Sequence, residues 1–230
     1  MLEMILQAAI RPVKEQLSLF PHLLPKNAIS TMYQRVEDSF TRKTEQDEEA
    51  ITLGDCWTGA LLTGLNEAPA GPQVGIIDWE FASVGRGVNG DVAQLLAHLH
   101  LLEIAAGLQG QTDSLAAIDA LLQGLTAEYR RRSQALNHCW LANSVSVAPG
   151  PHSLTARLMR SAFLALGAEI IDNAFWKDWV CDSEGCCSQR YQGKQHCKLI
   201  QKMVQTGCWY LYHAEEDEVK FVSNENWRAI

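Results

Sequence analysis

Residues 53–60 read Leu-Gly-Asp-Cys-Trp-Thr-Gly-Ala, and residues 76–82 read Ile-Ile-Asp-Trp-Glu-Phe-Ala. Each stretch has an aspartate, Asp55 or Asp78, close behind a short apolar run. Apolar runs of this length, bounded by Gly and Pro, are typical of short strands. The two stretches therefore predict two strands that each deliver one carboxylate to a turn.

The two predicted strands, at 50–53 and 74–78, lie in a chain whose other segments have helical periodicity. We expect the strands to form a small antiparallel pair that carries the site. The fold class predicted from this pattern is α+β, mostly helical. The predicted helices cover about residues 28–40, 92–106, 112–136, 154–179 and 197–213, preceded by one or two short helices within residues 1–23 that break near Pro12.

Composition limits the possible partners. The chain has 230 residues, 47% of them hydrophobic, and a formal net charge of −8. Such a chain has enough apolar residues for a packed core. Its acidity disfavours a nucleic acid partner, because the phosphate backbone is also negative. The run Arg130 to Arg132 lies in a helical pattern and is interpreted as a solvated helix face.

The chain shows no sorting or membrane signal. No stretch reaches the roughly 20 apolar residues that a membrane span needs, and the first residues lack the features of a secretory leader. With seven cysteines and no export signal, we expect free thiols and a cytoplasmic location. We divide the chain into N-terminal helices with a charged loop (1–49), a main lobe (50–213) and a tail (214–230). The oligomeric state is left open.

The two aspartate motifs resemble those of the aminoglycoside-phosphotransferase and choline-kinase-like family. In that family the first motif reads His-Gly-Asp, four residues, then Asn, and the second reads Ile-Asp-Trp-Glu or similar. The spacing of the motifs and the helix after Asp91 are also similar, and residues 156–179 resemble the helical region of fungal members. The resemblance covers about residues 30–213. It implies the C-terminal lobe of a protein-kinase-like fold.

The resemblance also implies roles for the two acids. Asp55 would orient an acceptor hydroxyl and take its proton, and Asp78 would hold magnesium on the triphosphate of ATP. Phosphoryl transfer depends mainly on such positioning and charge neutralisation. Trp57 and Trp79 flank the acids, so we expect them to line the ligand pocket together with Glu80.

Three departures from the family pattern bear on activity. Leu53 stands where the family has His, and Ala60 stands where it has the metal-binding Asn. No strand-rich segment with a suitable Lys precedes residue 50, so we expect the ATP-binding N-lobe to be missing. The loss of a single transition-state charge partner already costs several kcal/mol.

Two function classes follow. The first is a degenerate kinase-like lobe that binds a small organic molecule in the family's acceptor cleft, with Asp55 and Asp78 available for acid/base chemistry in secondary metabolism and no cofactor. The second is an ATP- and magnesium-dependent small-molecule kinase whose N-lobe is truncated or supplied by another chain. The departures favour the first class.

Structural interpretations stand beside the functional ones. Asp55 is also typical of a Gly-Asp turn, and Asp78 and Glu80 could be strand-end acids without a ligand. Asp91 is interpreted as the N-cap of the following helix. His98 and His100 are expected to be core or rim residues.

The cysteine-rich segment from Cys181 to Cys197 lacks the Cys-x-x-Cys spacing of a zinc knuckle. We therefore expect free thiols there and no stoichiometric zinc.

Overall fold

The computed structural model describes residues 13–24, 28–41, 50–64, 73–85, 90–135, 154–176, 179 and 197–214. Within these residues, a short helical segment at 13–17 precedes five helices and four strands. The helices are α1 (Ala28–Thr41), α2 (Gly90–Leu108), α3 (Thr112–Ala135), α4 (Leu154–Trp176) and α5 (Lys198–His213). The strands are β1 (Ala50–Thr52), β2 (Leu61–Thr63), β3 (Val74–Ile76) and β4 (Ser83–Gly85).

Helix α2 is the centre of the core. Its residues are apolar around most of the helix rather than along one stripe, and every residue from Ala93 to Leu101 is buried. Such a helix has to be covered on several sides. Helices α3, α4 and α5 pack against α2, and α1 packs against α4 and α5. The polar residues on α2 therefore lie inside the lobe and need partners there.

Two glycines allow α4 and α5 to approach closely. A β-carbon at Gly167 would stand 2.8 Å from the carbonyl oxygen of Gly207, and one at Gly207 would stand 2.9 Å from that of Gly167. Real β-carbons essentially never approach other atoms this closely. The absence of side chains at these two positions therefore sets the spacing of the two helices.

The strands form two separate antiparallel pairs. β1 pairs with β4, with Thr52 opposite Ser83, and β2 pairs with β3, with Leu61 opposite Ile76. The predicted pairing of 50–53 with 74–78 is therefore wrong, although strands do form within both segments. The reason is that two further strands, β2 and β4, follow the two loops and take the partner positions.

The described residues confirm an α+β fold that is mostly helical. Four of the predicted helices occur close to their predicted bounds, and the predicted helix at 92–106 begins at Gly90. None of the described helices combines the length and the apolarity that crossing a bilayer requires. The expected short helices of residues 1–12, the charged loop at 42–49 and the tail after residue 214 lie outside the described residues.

Candidate functional site

Two loops, each with one of the predicted aspartates, lie opposite each other between the strand pairs. The first acidic loop, residues 53–60, joins β1 to β2, and the second acidic loop, residues 77–82, joins β3 to β4. Because β1 pairs with β4 and β2 with β3, both loops lie between the two strand pairs. The N–H of Ile77 donates to the carbonyl of Ala60 at 2.9 Å. Tertiary structure thus brings the two sequence motifs together.

Gly54 holds the first acidic loop against the second. Its φ of +85° lies in the left-handed region, and a β-carbon there would stand 2.5 Å from the carbonyl oxygen of Phe81. Both conditions require glycine. The residue before Asp55 is therefore fixed by backbone conformation and by contact with the loop that carries Asp78.

Asp91 clamps the backbone of the first acidic loop. Its Oδ2 accepts from the N–H of Leu53 at 2.7 Å, and its Oδ1 accepts from the N–H of Gly54 at 3.0 Å. Asp91 lies in the first turn of α2, where the helix dipole stabilises a carboxylate. The interpretation of Asp91 as an N-cap is therefore wrong, because both oxygens bind a loop that precedes the helix by more than 30 residues.

A second set of hydrogen bonds continues this clamp into the core. The side-chain oxygen of Gln94 accepts from the N–H of Cys56 at 3.2 Å, and its amide donates to Glu169 Oε1 at 3.0 Å. The other oxygen of Glu169 accepts from the Asn173 amide at 3.2 Å. Three polar side chains from α2 and α4 thus support the loop, and a buried polar network of this kind holds a site in one geometry.

Asp55 and Trp57 are half-buried on the supported loop. The ring of Trp57 covers Gly59 and lies 6.1 Å from the ring of buried His98, centroid to centroid. His98 is thus a core residue, as expected, and forms the wall behind Trp57. The loop presents one carboxylate beside one aromatic ring.

The thiol of Cys56 is half-buried on the first acidic loop and feels the charges of two acids. Burial raises its pKa to about 11, and the negative charges of Asp91 and Asp55 act in the same direction. The thiol is therefore protonated at neutral pH. A protonated thiol is a poor nucleophile.

The second acidic loop is open to solvent. Asp78 is exposed and has a left-handed backbone (φ 62°, ψ 51°) that is uncommon for residues other than glycine. The Trp79 side chain is 59% exposed, with its indole N–H donated to the Ile76 carbonyl at 3.0 Å. Glu80 is also exposed. The five predicted site residues thus divide into a half-buried pair and an exposed trio.

The positions that depart from the family pattern are both buried. Leu53 is 7% exposed, and Ala60 is fully buried at the end of the first acidic loop. A methyl group at residue 60 offers no oxygen to a cation.

Among the described residues, no group of three or more His, Cys, Asp or Glu side chains could hold a metal ion. Of the predicted thiol segment, only buried Cys197 lies within the described residues.

Sequence reasoning missed the residues that support the loop. Gln94 and Glu169 lie in apolar helical stretches and have no motif around them. A signal did exist, because a polar residue inside a helix that is apolar on all sides must find a buried partner. The sequence could not name that partner, which lies 75 residues away.

Comparisons with protein-family models, with curated proteins and with solved structures found no match for this chain.

Proposed function

We propose that the chain is a degenerate, aminoglycoside-phosphotransferase-like lobe that binds a small organic molecule beside Asp55. In this proposal Asp55 acts on the molecule as an acid or base, and Trp57 packs against its apolar part. Asp78 of the second acidic loop serves as the second acid, with Trp79 and Glu80 at the rim.

The observation that carries the proposal is the two-oxygen clamp of Asp91 on Leu53 and Gly54. An aspartate in an ordinary surface turn needs no such support. Here a charged side chain and the Gln94–Glu169 pair are held within the lobe so that one loop keeps its conformation. Placing a half-buried acid on a preorganised loop is what binding and acid/base chemistry require.

The residues of the first acidic loop favour binding over phosphoryl transfer. Ala60 supplies no metal ligand, and the buried position of its side chain leaves no room for a longer one without repacking. An acceptor hydroxyl or amine could still bind Asp55. We therefore expect acceptor-type molecules to bind without consumption of ATP.

The second candidate is an ATP- and magnesium-dependent small-molecule kinase. The observation that favours it is the position of Asp78, exposed on a loop directly opposite the loop of Asp55. In a kinase these would be the metal-binding and the catalytic acid. The strands next to Asp78 expose Leu62, Val74 and Ile76, an apolar surface that an ATP-binding partner could cover.

A binding experiment with paired variants tests the proposal. Kanamycin, choline and glucose represent the acceptor types, and each is added to wild type, Asp55→Asn and the exposed control Asp113→Asn. At about 100 times the dissociation constant, a ligand stabilises the folded state by about 2.7 kcal/mol, which corresponds to a rise in Tm of roughly 5 to 10 °C. We expect such a rise with at least one acceptor in wild type and in the control, and no rise in Asp55→Asn.

Two results would overturn the proposal. If none of the acceptors changes Tm, or if Asp55→Asn responds as wild type does, the site is not at Asp55. If magnesium and ATP with an acceptor yield ADP, and both Asp55→Asn and Asp78→Asn abolish this turnover, the kinase candidate is correct instead.

A further inference from the structure

A cleft lies at the other end of α2, away from the acidic loops. Its volume is about 560 Å³, and its walls come from α2, α5 and the start of α3. His100, on its wall, follows Asp91 by nine residues, which is about 14 Å along the helix. Four apolar side chains line the cleft, Ile104, Leu108, Leu115 and Trp209, with Glu103 and Lys202 as its charged groups. Its volume falls in the range of small-molecule sites.

Glu103 is held in place by a chain of hydrogen bonds. Glu103 Oε2 lies 2.9 Å from His100 Nδ1, and His100 Nε2 lies 3.2 Å from the Tyr210 hydroxyl. Burial and the charge of Glu103 raise the pKa of Tyr210, so this hydroxyl stays protonated. A carboxylate oxygen can only accept, so the proton in the contact with Glu103 is on Nδ1 of His100.

The Glu103 carboxylate is only partly satisfied by hydrogen bonds within the described residues. One carboxylate oxygen accepts from His100, while the other has no hydrogen-bond partner among the described residues. The side chain of Glu103 is 28% exposed, and the cleft is the space that it lines. The free oxygen is therefore an acceptor suited to an ammonium group.

A group of opposite charge comes from another helix that lines the cleft. Lys202, on α5, is exposed and forms no ion pair with any described residue. Glu103 lies on α2 and Lys202 on α5, so the two charges come from different helices that line the cleft. The ammonium and carboxylate ends of an extended dipeptide are about 7 Å apart. In a single amino acid both groups are bonded to the same carbon.

One glycine lines the cleft. Gly107 lies on α2, and a β-carbon there would meet nothing within 4 Å. A larger side chain at this position would enter the cleft without displacing other groups. Helical glycine also weakens its helix by about 1 kcal/mol relative to alanine.

We propose that this cleft binds a short apolar peptide with free ends, a dipeptide-sized zwitterion. The peptide ammonium binds the free oxygen of Glu103, and the peptide carboxylate binds Lys202. The apolar side chains pack on Trp209 and on the aliphatic wall. This site is separate from the acidic loops and does not depend on the function proposed for them.

Calorimetry with three forms of one peptide tests the proposal on the full chain. The probes are Phe-Leu, N-acetyl-Phe-Leu, which lacks the ammonium, and Phe-Leu amide, which lacks the carboxylate. We expect Phe-Leu to bind wild type with a submillimolar Kd and each capped form to bind at least about tenfold more weakly, the equivalent of about 1.4 kcal/mol for the lost charge. Absence of Phe-Leu binding at millimolar concentration would overturn the proposal, as would equal binding of either capped form.

Variants locate the site. Gly107→Leu should abolish Phe-Leu binding, while Gly124→Leu, at a helical glycine that is equally open, should leave the Kd unchanged. Glu103→Gln should weaken Phe-Leu at least about tenfold and leave N-acetyl-Phe-Leu unchanged. Lys202→Met should weaken Phe-Leu but not its amide. Wild-type affinity in Gly107→Leu, or equal losses for capped and uncapped peptides in the charge variants, would refute the assignment. Circular dichroism of each variant checks that it folds.

Discussion

Gly54 lies so close to Phe81 that a β-carbon on the glycine would stand 2.5 Å from the Phe81 carbonyl oxygen. The contact joins the loop of Asp55 to the short helical turn Trp79–Phe81, which directly follows Asp78. The two aspartate motifs are therefore parts of one packed unit. A substitution at a packed position of this unit should therefore lower the stability of the whole unit, rather than only remove the function of one side chain.

Gly54→Ala should lower the free energy of unfolding by about 3 kcal/mol. A left-handed alanine costs about 1 to 2 kcal/mol, and the collision with Phe81 adds about 1 to 3 kcal/mol. Gly110→Ala is the matched control, because Gly110 also has a positive φ (+66°) but open space at its β-carbon. Urea denaturation should show a loss of only about 1 kcal/mol in the control. Equal losses in both variants would contradict the contact with Phe81.

Asp91→Ala should lower the free energy of unfolding by about 3 kcal/mol. It removes two hydrogen bonds to a charged acceptor and leaves the N–H groups of Leu53 and Gly54 without their partner. Asp113→Ala removes an exposed acid from the first turn of α3 and should cost less than about 1 kcal/mol. Chemical denaturation of both variants measures the difference. A small effect at Asp91 would show that the clamp does not hold the loop.

Alanine at either glycine of the α4–α5 crossing should destabilise the protein by about 1 to 3 kcal/mol, because the new methyl group overpacks the interface. At Gly167 it would meet the Gly207 carbonyl and Leu211, and at Gly207 it would meet Ile171. The double variant should cost less than the sum, since both methyl groups force the same separation of the helices. Gly124→Ala, at an open helical position, should instead gain up to about 1 kcal/mol. Thermal or urea unfolding of the four variants tests the ranking.

The buried thiol of Cys56 should make stability fall at alkaline pH. Its pKa is raised from 9.0 to about 11 in the folded state, so between these values the unfolded state loses the proton first. Stability is then lost as pH rises through this window. Because the thiol is only half-buried, we expect a loss of no more than about 1 kcal/mol.

Comparison of wild type with Cys56→Ala isolates this contribution, since other groups titrate alike in both proteins. The difference in unfolding free energy, measured under reducing conditions, should move in favour of Cys56→Ala between about pH 8 and about pH 10. A difference that does not depend on pH would show that the thiol is not perturbed.

Local patterns in the sequence determined most helix bounds and the existence of the strand segments. A helix that packs against other elements has apolar residues at helical spacing on its buried faces. This spacing alone predicted the bounds of α1 and α3 to within a few residues. The left-handed backbone of Gly54 is likewise compatible with the local sequence, because the conformational freedom of glycine is a local property.

Only the tertiary structure decided how these segments combine. β1 pairs with β4 rather than β3 because pairing depends on which strands the intervening loops bring together. The sequence did not reveal the partners of Asp91, because Leu53 and Gly54 lie 38 and 37 residues earlier in the chain. His100 and Tyr210 meet across 110 residues. Contacts between residues so far apart in the sequence produce no periodic pattern. They depend on how whole helices pack and not on neighbouring residues.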